Sequence, residues 1–209
     1  MTEERQQKLL KVIDKRQFNI TVVLENIEDP HNIAAVLRSC ESVGMQEVYI
    51  LNTQIPPHKK KLGKEIGFRS GSGAAKWLTI HEYNDTATCV HDLRKHFAKI
   101  YTTAFSHDAK DLYEMDFTGS MALVFGNEKY GITAEMLNLA DGNFLIPQVG
   151  IIQSLNISVA CAVTVYEAFR QKRIAAHYHK NNVSAAKKET LLQEWGVEEE
   201  NQKTNGKYK

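Results

Sequence analysis

Residues 19–26, NITVVLEN, are rich in β-branched side chains and read as a buried strand. The stretch that follows, DPHNIAAVLRSCESVG (29–44), carries the signals of a helix. Asp29 can cap it, Pro30 suits its first position and Gly44 suits its end, while Ile33, Leu37, Cys40 and Val43 recur at helical spacing. EVYIL (47–51) is again strand-like. Strand, helix and strand within about thirty residues make a βαβ unit, and its two strands must run parallel. Parallel sheets are covered on both faces, so this stretch commits the chain to an α/β architecture.

The alternation continues. WLTI (77–80) reads as a strand, 86–98 as a helix, and KIYTTAF (99–105) and MALVFG (121–126) as strands. TAEMLNLADG (133–142) is a helix with Thr133 as cap and Gly142 as stop; NFLIP (143–147) is a short strand, and 155–175 a long helix. The expected fold is a mostly parallel sheet with helices on both faces. Residues 3–17 form a short amphipathic helix with Leu9, Leu10, Val12 and Ile13 at its apolar positions. The domain reading is a helical extension at 1–18, the main domain at 19–176 and a polar, partly helical tail at 177–209. Residues 52–75 contain Pro-Pro, three consecutive lysines and four glycines, and read as a long loop.

With 43% hydrophobic residues in 209, there is material for a sizeable core. A net charge of +1 neither demands nor excludes a nucleic-acid partner, so any basic surface must be local. No apolar run suggests a signal peptide, and residues 143–166, the nearest approach to a membrane span, carry Pro147, Gly150 and a polar cluster. The expectation is a cytoplasmic protein without membrane contact. Cys40, Cys89 and Cys161 are far apart and form no CxxC, which suits buried thiols in a reducing compartment. HYH (177–179) offers two histidines without further ligands, so no metal is expected.

In an open parallel sheet, ligands bind beyond the carboxyl ends of the strands. Three loops there are unusual. Arg38 lies mid-helix with the small residues Ala34 and Ala35 one turn back, which leaves space beside its guanidinium; a solvated surface arginine would read the same way. In VFGNEKYGI (124–132), Gly126 and Gly131 have P-loop spacing, but Ile132 stands where a phosphate-binding lysine is needed, which excludes an NTPase. Glu128 in this loop suits a structural acceptor as well as a catalytic group. GSGAAK (71–76) follows no strand and is no dinucleotide fingerprint. The third loop, IPQVGIIQSLNISVA (146–160), clusters Gln153, Ser154, Asn156 and Ser158 in an apolar setting. Ser154 is a good helix cap, but capping by Ser154 leaves Asn156 and Ser158 unexplained. Small polar groups at a helix N-terminus suit a polar ligand.

Taken together, NIAAVLR (32–38), LVFGNExxGI (123–132) and IPQVGIIQSLNISVA (146–160) resemble, in order and spacing, the three motifs of the SpoU branch of the SPOUT RNA methyltransferases. The likeness covers about residues 5–176 and includes LENIEDPHN; it is strongest to members that methylate guanosine 18 of tRNA. The resemblance implies a C-terminal deep trefoil knot, S-adenosyl-L-methionine as cofactor, and a homodimer with the site near the subunit interface. Cofactor contacts would fall on Thr103, Gly126, Ile146 and Leu155, mostly through their backbone. Arg38 matches the catalytic arginine, Asn32 and Glu128 its partners, and Ser154 and Asn156 the polar pair of the third motif. The implied reaction is 2′-O-methylation of a ribose in tRNA. A guanidinium stays charged and offers only donors, so Arg38 suits holding a phosphate and stabilising alkoxide charge better than acting as a base.

Candidate RNA-facing cations are Lys59–Lys61, Lys64 and Arg69 in the long loop, Arg5, Lys8, Lys11, Lys15 and Arg16 near the N-terminus, and Arg170, Lys172 and Arg173 on the last long helix. EDPHN is acidic before its proline, where relatives commonly carry a basic residue. Alternatives are the same chemistry on ribosomal RNA and a non-catalytic RNA-binding homologue. The missing large N-terminal RNA-binding domain favours tRNA over the first, and the complete set of Arg38, Glu128, Ser154 and Asn156 argues against the second. A receiver-like module fails because Glu25 stands alone at the end of the first strand.

Overall fold

The computed structural model describes residues 2–56, 73–106, 108–152, 154–178 and 183–197. Among them, seven parallel strands form one sheet in the order β3-β2-β1-β6-β4-β7-β5. They are β1 (Ile20–Glu25), β2 (Glu47–Leu51), β3 (Thr79–Tyr83), β4 (Lys99–Thr103), β5 (Lys110–Asp111), β6 (Met121–Phe125) and β7 (Gly142–Leu145). The helices are α1 (Glu3–Ile13), α2 (Pro30–Ser42), α3 (Thr86–His96), α4 (Ala134–Leu139), α5 (Ile157–Ile174) and α6 (Ala185–Glu194).

Strand β1 lies near the middle of the sheet and all six of its residues are buried. Leu24 is level with Ile50 on one side and Phe125 on the other. Because side chains alternate along a strand, β1 feeds two cores. Ile20, Val22 and Leu24 join Val36, Leu37 and Cys40 of α2 and Cys161 and Val165 of α5 on one face. On the other, Val23 joins Cys89 and Leu93 of α3 and Met136 of α4. Asp29 caps α2 through its contact with the His31 N–H, and Pro30 opens the helix, as the sequence predicts. The acidic residue before Pro30 is thus a cap. Ala34 is buried in the core, where its small side chain serves packing.

Element boundaries depart from expectation where tertiary contacts intervene. Trp77 belongs to a 3₁₀ turn (Ala74–Trp77) and packs edge-on against Trp195 at 5.2 Å, so β3 begins two residues later than WLTI suggests. Helix α4 ends at Leu139, and Gly142 opens β7 instead of stopping the helix. Asp141 accepts from the Ile100 N–H (2.7 Å) and pairs with Arg94, which pulls the chain into the sheet. The two-residue β5 has no β-rich signature at all. The three cysteines are free and buried.

Leu9 and Ile13 of α1 meet Leu191 and Leu192 of α6, with Phe18, Trp77 and Trp195 around them. The two chain extensions thus share one small cluster, a long-range pairing that neither segment's periodicity reveals. Two expected RNA-facing cations are buried by protein contacts. Arg16 is 2% exposed, donates to the Met45 carbonyl and Glu41, and lies over the Trp195 ring. Lys172 is fully buried and donates to Asn19 Oδ1 and to the Thr118 and Gly119 carbonyls, all at the amino ends of β1 and β6. These cations therefore lock the fold and leave the RNA-facing set. Arg170 and Arg173 stay exposed, the former paired with Glu167 and the latter over Phe169. The lysines and arginine of the long loop lie outside the described residues.

Burial lowers the pKa of Lys172 from 10.5 to about 8. The folded chain therefore holds this proton less tightly than the unfolded chain. The resulting contribution to stability is fully present above 10.5 and is lost as pH falls through about 8. The unfolding free energy of the parent minus that of Lys172→Met, measured by urea titration, is expected to rise with pH across that window. A pH-independent difference would contradict it.

Candidate active site

Strand β6 delivers its C-terminal loop under tight constraint. A Cβ on Gly126 would lie 2.5 Å from the Gly131 carbonyl carbon and oxygen, so only glycine lets the chain double back here. Asn127 and Gly131 exchange backbone hydrogen bonds of 3.1 and 2.8 Å, and Gly131 adopts φ +70°. The Asn127 side chain works in both directions. Its Oδ1 accepts from the N–H groups of Lys129 (2.9 Å) and Tyr130 (3.1 Å), and its Nδ2 donates to the Asn26 carbonyl (2.8 Å). Asn26 itself sits at φ +56°, and its Oδ1 accepts from the Thr53 and Gln54 N–H groups at 2.8 Å each. Glu25 is fully buried and accepts from the Thr133 N–H (3.0 Å) and hydroxyl (2.6 Å). Burial raises its pKa, against the pull of the two Thr133 contacts. The carboxylate that stands alone at the end of β1 is thus the anchor of the loop from β6.

The third loop resolves differently from its sequence reading. Helix α5 starts at Ile157, and its cap is Asn156, not Ser154. Asn156 Oδ1 accepts from the Ser158 N–H (2.8 Å) and hydroxyl (2.6 Å). Two of the clustered polar residues are therefore a cap and its reinforcement. The amide's other end points outward: Asn156 Nδ2 donates to Asn32 Oδ1 (3.2 Å), and Asn32 Nδ2 donates to Glu128 Oε1 (2.6 Å). One residue from each of the three motifs is thereby joined in a single polar chain. Helices α2 and α5 pack against each other, and Ser42 at the end of α2 contacts Tyr166 in the middle of α5 at 3.3 Å.

A cleft of about 430 Å³ opens at the carboxyl ends of β4, β6 and β7. All four residues expected at the cofactor, Thr103, Gly126, Ile146 and Leu155, line it, as do Glu128 and Ser154. Phe125, Phe144 and Ile157 supply apolar wall, and of these only Phe144 lies outside the three motifs. The sequence signal for Phe144 is its place near the end of an expected strand. The Thr103 hydroxyl donates to the Val124 carbonyl (3.1 Å). Asn32 and Asn156 reach the cleft only through Glu128. Arg38 is exposed on α2, about 9 Å along the helix axis from Asn32, and does not line the cleft. Gln153 and His179 lie outside the described residues.

The SpoU rRNA Methylase family model matches residues 19–166, most of the chain and all three loops. The chain belongs to this family. It is 36% identical to the tRNA (guanosine(18)-2'-O)-methyltransferase of Thermus thermophilus over 196 residues, covering 93% of this chain and 96% of that one. The crystal structure of the A. aeolicus TrmH/SpoU tRNA modifying enzyme superposes with TM-score 0.80 at 30% identity, covering 92% of this chain and 95% of that one. The SpoU methyltransferase AviRb from Streptomyces viridochromogenes, in complex with the cofactor AdoMet, superposes with TM-score 0.65 at 25% identity, covering 77% and 60%.

In this SpoU family chain the tight loop from β6 is also the cleft wall, so strain there should be felt in both. Gly126→Ala is expected to cost about 1–3 kcal/mol of stability. It should also speed hydrogen exchange at the Gly131 amide, measured by NMR. Unchanged exchange would mean that the loop accommodates a Cβ without giving up the Asn127–Gly131 pairing.

Proposed function

We propose that this chain transfers a methyl group from S-adenosyl-L-methionine to the ribose 2′-hydroxyl of guanosine 18 in tRNA. One observation carries the reading: the cleft at the ends of β4, β6 and β7 gathers all four expected cofactor contacts beside Glu128, which is joined to Asn32 and Asn156. The Thermus methyltransferase matches nearly end to end, and this supports tRNA as the substrate. A tRNA substrate in turn implies the cytoplasm.

The cleft suits the cofactor chemically. Its volume is in the range of small-molecule sites, and Phe125, Phe144 and Ile146 offer apolar surface to a flat ring. Main-chain groups at Gly126, Ile146 and Leu155 are the readers of polar edges, with Thr103 at the end of β4. When bound, the cofactor supplies an activated methyl on sulfur. The chain's own task is to align the ribose oxygen with that methyl and ease loss of its proton. Glu128 and Ser154 line the approach to the cleft and orient the ribose. Arg38 holds a substrate phosphate and stabilises alkoxide charge as it develops, and the proton leaves to phosphate or water.

Three further features belong to this reading. First, the C-terminal segment forms a deep trefoil knot. Thr103 and Lys110 are both level with Phe144, on opposite sides of β7. The connection 104–109 must therefore arch past β7, and the chain leaving β7 has a loop to thread. Second, the protein works as a homodimer. Val159, Tyr166 and Ile174 are exposed along α5 at 47%, 51% and 74%, beside the helix that carries Arg38. An apolar stripe of this kind suits a second copy. Third, residues 19–176 form the methyltransferase domain, and the extensions 1–18 and 177–209 flank it. The joint cluster of α1 and α6 favours their acting as one unit.

The same chemistry on ribosomal RNA is the second reading, favoured by the description of the family. Methyl transfer from labelled cofactor to unmodified tRNA and ribosomal RNA transcripts, with the labelled nucleotide mapped, separates the two. Label at guanosine 18 is expected. Label confined to ribosomal RNA would replace the substrate, and no label in any RNA would favour a binding-only protein. Arg38→Lys loses the planar fork and is expected to lower kcat about a hundredfold, with cofactor affinity unchanged.

A further inference from the structure

We propose that Ser158 is a positioning residue for methyl transfer. It pins the Asn156 carboxamide, and through Asn156 and Asn32 it sets the orientation of the Glu128 carboxylate. The inference rests on the function proposed above. It adds a residue that neither touches the cleft nor belongs to the expected catalytic set.

The two ends of the Asn156 amide differ in what they can bond. A carboxamide is nearly symmetric in shape, so its direction is decided by its partners. At the start of α5, Asn156 Oδ1 takes two donors from one residue, the Ser158 N–H at 2.8 Å and the Ser158 hydroxyl at 2.6 Å. The backbone N–H can only donate, so the oxygen must face Ser158. Asn156 Nδ2 is then delivered to Asn32, whose facing atom must be the acceptor Oδ1. Asn32 in turn must present Nδ2 to Glu128, and it does so at 2.6 Å, to Oε1. With that oxygen held, Oε2 is left to face the ribose. Each direction in the chain follows from the one before it.

The hydroxyl matters because the chain runs through solvent-facing positions. Asn156 and Glu128 are exposed, and the link from Asn156 to Asn32, at 3.2 Å, is the longest of those named. A cap held by the N–H alone leaves the second lone pair of Oδ1 open to water. The Ser158 hydroxyl occupies it and restrains the amide in its plane. A single hydrogen bond of this kind contributes on the order of 1 kcal/mol net. That corresponds to a change of about fivefold in a rate that depends on the amide's position.

Ser158→Ala keeps helix α5 and its N–H cap. The expected result is a kcat about fivefold lower, with KM for tRNA and cofactor affinity unchanged. Ser158→Thr restores the hydroxyl and should recover most of the loss. Asn156→Asp is the sharper variant. Aspartate caps as well as asparagine, but it cannot donate to Asn32, so it should reverse the chain and lower kcat further. In a Glu128→Ala background, Ser158→Ala should have no added effect, because the two act on one group. The readout independent of turnover is NMR of the Asn32 side-chain amide, whose signals should shift and exchange faster in Ser158→Ala. If the parent methylates no RNA and the Asn32 amide still responds, the positioning chain stands and the reaction assigned to it falls. Full kcat in Ser158→Ala, an additive loss in the Glu128→Ala background, or an unresponsive Asn32 amide overturns the proposal.

Discussion

Everything at the site hangs from strand β1. It is paired on both sides and buried on both faces, so neither its register nor its height can slip without disturbing two cores. Its last residue and the next, Glu25 and Asn26, carry this rigidity past the end of the sheet. Glu25 holds Thr133, and the Asn26 carbonyl holds Asn127. The loop from β6 is therefore fastened at both ends to one strand. Burying a carboxylate is costly, and the two Thr133 donors offset that cost only in part, as the raised pKa of Glu25 records. The compensation is a loop that doubles back in a fixed shape, with Gly126 pressed against Gly131.

On this frame the site divides by polarity. The cleft floor is apolar and made from strand ends, which suits a ligand read mainly by backbone groups. The polar chain of Ser158, Asn156, Asn32 and Glu128 runs along its exposed rim. Arg38 stands apart from both, exposed further along α2. In the proposed function this spacing separates two duties: backbone and apolar walls for the methyl donor, and polar side chains for the ribose and phosphate. The cations locked at the opposite end, such as Lys172, take no part in either.

Much of this was legible beforehand because it is local. Asp29 before Pro30, Thr133 before an apolar turn, and β-branched runs such as ITVVLE act through neighbours in sequence, and each forms the element expected. The errors share one cause, which is a contact from far along the chain. Ser154 reads as the cap because serine caps as well as asparagine, but the helix begins after Asn156, whose side chain also reaches Asn32. Arg16 and Lys172 looked like surface cations, since composition cannot tell a solvated charge from one aimed at buried carbonyls. Gly142 looked like a stop, and Asp141 made it the start of a strand.

The sequence by itself determined the βαβ order, the caps that depend on nearest neighbours and the three loops in which the chemistry gathers. Those features rest on periodicity and local hydrogen bonding, which residues within a few positions decide. Tertiary structure alone decided that Glu25 anchors the loop from β6, that the extensions meet around Trp77 and Trp195, and that Asn156 serves Glu128 through Asn32. Each of those pairings joins residues tens of positions apart. Their formation depends on how the sheet stacks strands that are distant in the chain, and nothing in a single segment encodes that distance.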